Sequence, residues 1–327
     1  MKTIALVTGG FTGESVISLK SASFVQDNLD KEKFDVYKII ITKENWYYVD
    51  DNALKHEINK NDFSLILGDK TIRFDAVFLM LHGSPGEDGR LQGYFDMLGI
   101  PYTSCDALTS ALTMNKGYTK AVVSSIPGLF TAKSLQLFSN TSDNIEKIKS
   151  QLKLPYFIKP NNGGSSIGMS KVKTIEELPA ALEKAFKEDT QVLVEEFISG
   201  REFSMGIYRG RKGIVVLPAT EVISSREFFD YEAKYTPGVT EEITPARITA
   251  EERERVSLLA SAIYETLNCR GMVRIDFFLE NGTGNFYFVE INTIPGQTAT
   301  SFIPQQVKAA GMEIGDFYSE ILEQALG

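Results

Sequence analysis

Asp276, Glu290 and Asn292 fall on two apolar, strand-like runs, RIDFFLE and FVEIN, late in a chain of 327 residues. Glu290 and Asn292 are two residues apart, so an extended backbone turns both to one face. Asp276 sits among apolar neighbours that favour burial, and a buried carboxylate is costly unless it is paired or bound to metal. Two carboxylates and an amide form a hard, oxygen-rich set. It suits Mg2+, which takes a few carboxylate oxygens and fills its other positions from phosphate and water. The plainer alternative is a salt bridge from Arg274, which shares the face of Asp276.

A second constellation is FIKPNNGGSSIGMSKV at 157–172. A phosphate-binding P-loop runs strand, GxxxxGK(S/T), helix. Here Lys159 precedes the glycines and a strand-like run follows them, which excludes that motif. What is left is a plain turn between strands, or a glycine-rich hairpin whose backbone N–H groups cover a triphosphate, with Lys159 aiming a charge beneath it. TIPGQTATSFIP, directly after Asn292, is either a loop or a set of backbone donors for an oxyanion. His82 ends the strand-like FDAVFLMLHG, at the edge where open α/β sheets bind ligands; a hydrogen-bonded structural role is the blander alternative. GGFTGES lacks the GxGxxG spacing, and no acid closes the second apolar run, which disfavours a nicotinamide site.

The elements that position these residues are legible as patterns. TIALVTGG, FDVYKIIIT and FDAVFLMLHG read as buried parallel strands. Between the first two lies a helix with Val16, Leu19, Phe24 and Val25 at helical spacing, and RLQGYFDMLG reads as a helix stopped at Gly99. DALTSALTMNKGYTKAVVSS reads as helical with Asp106 as its cap. PYFIKP and GMSKVK flank the glycine-rich loop. Thr174 and Glu177 form a capping box for the helix that follows. QVLVEEFISG and REFSMGIYRG follow each other as in a hairpin. After a polar loop at 224–247 and a helix from about Ala250 to Leu267, two strands joined by NGTG carry the acids, and a helix ends the chain.

Composition narrows the function classes. The net charge is -9 with a pI near 5.0, which disfavours nucleic acid as a partner. No run approaches the ~18 apolar residues of a membrane span, and the N-terminal apolar stretch is short for a signal peptide. Cys105 and Cys269 show no metal-ligand spacing and read as two reduced, buried thiols, so the expected location is the cytoplasm.

Taken together, LHGSPGEDGRLQGYFDMLGIPYTS, KPNNGGSSIGMSKV, FFDYEAKY, RIDFFLE and VEINTIPGQTATSFIP resemble, in order and spacing, the D-alanine–D-alanine ligase family of the ATP-grasp superfamily. The resemblance spans nearly the whole chain. It implies an α/β ATP-grasp fold: an N-terminal open parallel α/β domain at 1–103, a central ATP-grasp subdomain with the glycine-rich lid at 104–194, and a C-terminal ATP-grasp subdomain with antiparallel strands at 195–327. It implies ligation of two D-alanine molecules through a D-alanyl phosphate, with ADP and phosphate released, for peptidoglycan precursors. ATP would be held by Lys116, Lys159, Glu195, Phe197, Ile198, Glu202 and Lys234. Two Mg2+ ions, for which Mn2+ could substitute, would sit on Asp276, Glu290 and Asn292. Arg274 and the Gly296 N–H would stabilise the oxyanion. Glu14 would take the first substrate's ammonium, with His82 near its carboxylate, and Ser301 and the Phe302 N–H would take the second carboxylate. Glu14, Ser165 and Tyr235 would latch the 224–247 loop, and Tyr235 favours an amine as second substrate. A homodimer is common in the family. Three departures bear on loop closure: Ser15 and Val16 where the family has a second acid, Gly163 in place of an acid, and Glu196 where some members have lysine. A ligase for another amino or hydroxy acid pair, or a non-catalytic ATP-binding module, are the alternatives.

Overall fold

The computed structural model describes residues 1–164, 167–224 and 240–327. β1 (Lys2–Gly9) is buried from Ile4 onward. It passes through Gly9 and Gly10, both at positive φ, where a Cβ on Gly9 would run into the Ile41 carbonyl. The chain then enters α1 (Ser15–Asn28). This helix buries Ser18, Ser21, Ala22 and Val25, whereas Val16 is 57% and Leu19 37% exposed. Of the expected apolar spacing, Val25 is fully buried and Phe24 packs against the core, whereas Val16 and Leu19 fall off the packed face. Small residues line that face because the helix lies close over the sheet and its serine hydroxyls are used by the site.

β2 (Phe34–Ile41) pairs in parallel with β1. β3 (Trp46–Val49), β4 (Lys55–Asn59), β5 (Ser64–Leu67) and β6 (Lys70–Ile72) extend the sheet as an antiparallel meander. β7 (Ala76–Leu79) lies parallel on the other side of β1. The three strands read as parallel are parallel; the four meander strands are short and only partly buried, which left them no strong apolar signal. α2 (Arg90–Leu98) ends at Gly99 in the left-handed region.

The single helix expected over 106–125 is two, α3 (Ala107–Met114) and α4 (Lys116–Val123). Asp106 caps α3 as expected by accepting from the Thr109 N–H. Asn115 breaks the run because its backbone is extended and its side chain caps α4 instead. Lys116 thereby becomes the first residue of a helix.

β8 (Phe130–Thr131) and β9 (Ser134–Leu137) lead to α5 (Ser142–Gln151), β10 (Tyr156–Pro160), β11 (Ser170–Val172), α6 (Leu178–Glu188) and β12 (Val192–Glu196). The order β11-β10-β12-β9 is antiparallel throughout, so the glycine-rich segment connects two antiparallel neighbours, β10 and β11. A 3-10 turn carrying the Thr174–Glu177 capping box precedes α6, whose first turn accommodates Pro179.

β13 (Gly200–Gly210), β14 (Gly213–Val216), β15 (Thr220–Ser224), β16 (Thr240–Ile243), α7 (Ala250–Thr266), β17 (Met272–Glu280) and β18 (Phe286–Asn292) follow. They build a third sheet in the order β16-β15-β13-β17-β18-β8, with β14 on β13. β12 and β13 do not form the expected hairpin. Both edges of β12 are taken by β10 and β9, so the chain crosses to the other sheet through Phe197–Ser199, and β13 pairs with β17 along nine residues. Among the described residues no helix is long and apolar enough to cross a membrane.

α8 (Phe302–Ala309) and α9 (Ile314–Leu326) close the chain. α9 joins the third sheet to the first. Its Tyr318 ring packs edge-on against Phe78 of β7 at 5.7 Å, and Phe317 against Tyr208 of β13 at 5.0 Å. One core therefore runs through both sheets, and it presses the loop after β18 against the end of β7. Gln306 of α8, fully buried, accepts from the Gly206 N–H at 2.7 Å and donates to the Ser204 carbonyl at 2.9 Å. Gln306→Leu is expected to cost about 1–3 kcal/mol for each backbone group left unpaired. Urea unfolding checks this; a loss below about 0.5 kcal/mol, the range of an ordinary surface change, would mean the pairing is replaceable.

Candidate active site

The second and third sheets enclose a cavity of about 560 Å3 between Lys159, Met169, Phe197 and Ile198 on one side and Asp276 and Phe288 on the other. A second cavity, about 300 Å3, lies towards the first sheet and is lined by Glu14, His82, Glu87, Gly296 and Ser301. Lys116, Gly163, Gly164, Arg274, Glu290 and Phe302 line both. The two spaces therefore meet at a junction of two cations and a carboxylate.

The β17–β18 register sets Arg274 opposite Asn292 and Asp276 opposite Glu290, with an irregularity after Asp276. The NGTG turn sets Phe277 opposite Phe288 and, continued without a break, would face Asp276 with Val289; the irregularity between Asp276 and Phe277 shifts the pairing by one residue and brings Glu290 opposite Asp276. The Arg274 guanidinium binds the Asp276 carboxylate at 2.8 and 3.0 Å, and the Ser204 hydroxyl donates to it at 2.6 Å. Asn292 donates to it at 3.4 Å. Lys116 stands 3.6 Å from Glu290. The salt bridge and the convergence of the acids thus coexist. Burial works against the Arg274 charge, but Asp276 and Glu290 outweigh it and raise its pKa further. Among the described residues no group of three or more His, Cys, Asp or Glu gathers to hold a metal. Two acids and an amide cannot saturate an ion alone. They fit Mg2+ that draws its remaining oxygens from water and a phosphate chain.

Lys159 is paired with Glu195 at 2.6 Å, and Lys120 bonds the other carboxylate oxygen. All three are more than nine-tenths buried. Burial pushes the Glu195 carboxyl up, but Lys159 and Lys120 pull it down to about 2. Burial lowers the pKa of Lys120. Glu195, expected among the residues that hold ATP, commits both oxygens to lysines. Lys120 escaped the sequence reasoning; the signal was its spacing of four from Lys116, which puts both on one helix face. Lys116 bonds the Gly163 carbonyl and so ties α4 to the glycine-rich turn. Glu202 of β13 lines the larger cavity.

The Glu14 carboxylate lies between two glycines. A Cβ on Gly164 would come within 2.8 Å of one of its oxygens, and a Cβ on Gly83 within 2.7 Å of the other. The turn over the cavity and the first sheet therefore meet at Glu14. Ser165, Lys234 and Tyr235 lie outside the described residues.

His82 is buried, and both ring nitrogens are engaged. Nδ1 is 2.8 Å from the Ile294 carbonyl, which can only accept, so Nδ1 carries the proton. Nε2 then accepts from Ser21 at 3.1 Å. Burial lowers the His82 pKa, which keeps the ring neutral. Glu87, also missed in the sequence, accepts from the Gly83 N–H at 2.7 Å and the Ile294 N–H at 3.2 Å. Burial, more than any neighbouring charge, pushes its pKa up to about 7. Ser301 precedes α8 and accepts from the Thr298 N–H at 2.9 Å, leaving the Phe302 N–H at the positive end of a helix. Glu242 of β16, a further lining residue, is held by Gln305 at 3.2 Å.

Comparison with known proteins adds family information to this geometry. Residues 3–105 match the family model described as D-ala D-ala ligase N-terminus, and 126–323 the one described as D-ala D-ala ligase C-terminus. The chain is 46% identical to the D-alanine--D-alanine ligase of Phocaeicola vulgatus over 98% of both chains, and 44% identical to that of Flavobacterium johnsoniae over 100% of both. Among solved structures, the D-Ala:D-Ser ligase VanG from Enterococcus faecalis superposes with a TM-score of 0.89 at 36% identity, over 99% of both chains. The D-alanine--D-alanine ligase from Bacillus anthracis complexed with ATP gives 0.77 at 29% identity, over 100% of this chain and 98% of that one.

Proposed function

The chain belongs to the D-ala D-ala ligase family, and from that premise we infer that it joins two D-alanine molecules in an ATP-dependent, ADP-forming reaction that supplies peptidoglycan precursors. One observation carries this: the two cavities meet at Lys116, Arg274 and Glu290. A nucleotide in the larger one and an amino acid in the smaller one bring a γ-phosphate and a carboxylate together there.

The larger cavity holds ATP, with Phe197 and Ile198 against the adenine and Glu202 at the ribose. Lys116, Lys159 and Lys234 take the phosphates, and Glu195 belongs to this set by fixing Lys159. Asp276, Glu290 and Asn292 hold two Mg2+ ions, or Mn2+ in their place, which when bound neutralise phosphate charge. The first D-alanine is oriented with its ammonium at Glu14, and its carboxylate attacks the γ-phosphate, breaking the bond to the β–γ bridging oxygen so that ADP leaves and an acyl phosphate forms. Ser301 and the Phe302 N–H hold the second carboxylate, so that the amine faces the acyl carbon. Arg274 and the Gly296 N–H stabilise the oxyanion of the tetrahedral intermediate, and phosphate leaves. Glu14, Ser165 and Tyr235 latch the loop that excludes water from the acyl phosphate. We keep the division at 1–103, 104–194 and 195–327, and a cytoplasmic homodimer that binds neither nucleic acid nor membrane.

A coupled assay with ATP, Mg2+ and D-alanine tests this. It is expected to yield D-alanyl-D-alanine and one phosphate per dipeptide. The likeness to a D-Ala:D-Ser ligase makes D-serine the informative competitor. A kcat/KM for D-serine above that for D-alanine at the second site would overturn the choice of acceptor, and no product with either would overturn the activity.

A further inference from the structure

The loop after β18 is held at almost every polar group around Gly296. The Ile294 N–H goes to Glu87 and the Ile294 carbonyl receives His82 Nδ1. The Gln297 N–H donates to Ser21 at 3.2 Å, and the Gln297 side chain is fixed by the Tyr318 hydroxyl at 2.9 Å and by its own bond to the Pro295 carbonyl at 3.2 Å. The Gly296 N–H itself meets no acceptor among the described residues. Ser21, His82 and Glu87 all come from the first sheet and its connections, 276, 212 and 207 residues from their partners in sequence.

We propose that Glu87, with His82 and Ser21, is a positioning residue of the oxyanion site: these groups grip Ile294 and Gln297 on either side of Gly296 and hold its free N–H towards the reacting acyl carbon. The inference rests on the role given to Gly296 above. Two facts favour a grip over a substrate contact. Each ring nitrogen of His82 already has a protein partner, and each Glu87 oxygen already accepts a backbone N–H, one from either side of the cleft. A carboxylate suits this task because it offers acceptors on both oxygens. An amide in its place presents one acceptor and one donor, and the donor opposes a backbone N–H.

Glu87→Gln keeps the shape and breaks one of the two bonds. It is expected to lower kcat about 10- to 100-fold, the scale of a misplaced catalytic group. Affinity for a phosphinate dipeptide analogue, whose tetrahedral phosphorus carries the oxyanion, is expected to fall by the same factor. The KM values for ATP and for D-alanine should stay within about twofold. Ser21→Ala, which releases the other side of Gly296, is expected to repeat the pattern. Parallel losses in kcat and analogue affinity in both variants support the grip. A raised KM for D-alanine with kcat kept would make Glu87 a substrate contact, and a lowered kcat with unchanged analogue affinity would make it merely structural; either overturns the proposal. Wild-type protein without ligase activity would instead defeat the function itself, which separates the two failures.

Discussion

Arg274→Ala is expected to lower turnover about 100- to 1,000-fold, the usual loss of one oxyanion donor, with ATP binding little changed. The side chain is held in place on three sides. It forks onto Asp276, faces Asn292 across the strand pair, and lies 5.5 Å over the Phe302 ring. A guanidinium so placed stays charged and needs no reorganisation when negative charge develops. It also balances Asp276, so its removal has two consequences that must be separated. Arg274→Lys retains a positive charge for Asp276 but not the planar fork. If the oxyanion role dominates, lysine recovers stability without recovering turnover. Equal turnover in the alanine variant, or full recovery with lysine, would remove Arg274 from the chemistry.

Glu195→Gln is expected to destabilise the fold by about 3–5 kcal/mol, the cost of leaving one side of a buried ion pair uncompensated. Here two lysines lose the same partner, Lys120 at 4% and Lys159 at 5% exposure, so water cannot take over. The pH dependence follows from the depressed pKa of Glu195. Its carboxyl titrates near 2 in the folded protein against 4.5 ordinarily. Its contribution is therefore present above pH 4.5 and is lost as pH falls towards 2. Urea unfolding at pH 7 and at pH 3 should show the gap between wild type and Glu195→Gln narrowing in acid. A gap that does not change with pH would mean the lysines find other partners. Adding Lys120→Met to Glu195→Gln should restore part of the loss, because one stranded cation is gone.

Lys120 and Glu87 show why parts of the site could not be read in advance. Lys120 sits in an ordinary amphipathic helix, and only the arrival of β12 behind it brings Glu195 within reach. Glu87 lies in a polar loop, and only the core shared by Phe78 and Tyr318 sets Ile294 against it. The phase of α1 failed in part for a related reason. Apolar spacing marks a helix but not which side a neighbouring sheet will cover: the covered side is Ser18, Ser21, Ala22 and Val25, so of the apolar positions Val25 lies on it and Val16 and Leu19 do not.

What the sequence by itself determined is local. Alternation along FVEIN was enough to put Glu290 and Asn292 on one face of their strand, and the turn residues paired that strand with RIDFFLE; the register shift between Asp276 and Phe277, which sets Asp276 opposite Glu290, came only with the folded sheet. A lysine before the glycines and a strand after them made the turn a hairpin between β10 and β11. Asp106 and the Thr174–Glu177 box capped their helices because caps act within four residues. The tertiary structure alone decided what joins distant segments: that β13 leaves β12 for β17, that Glu195 is shared by two lysines, and that the first sheet grips the loop around Gly296. Strand periods and caps are set by neighbours in the chain. Ion pairs and peptide grips are set by which surfaces the cores bring together, and nothing in the residues on either side announces the other.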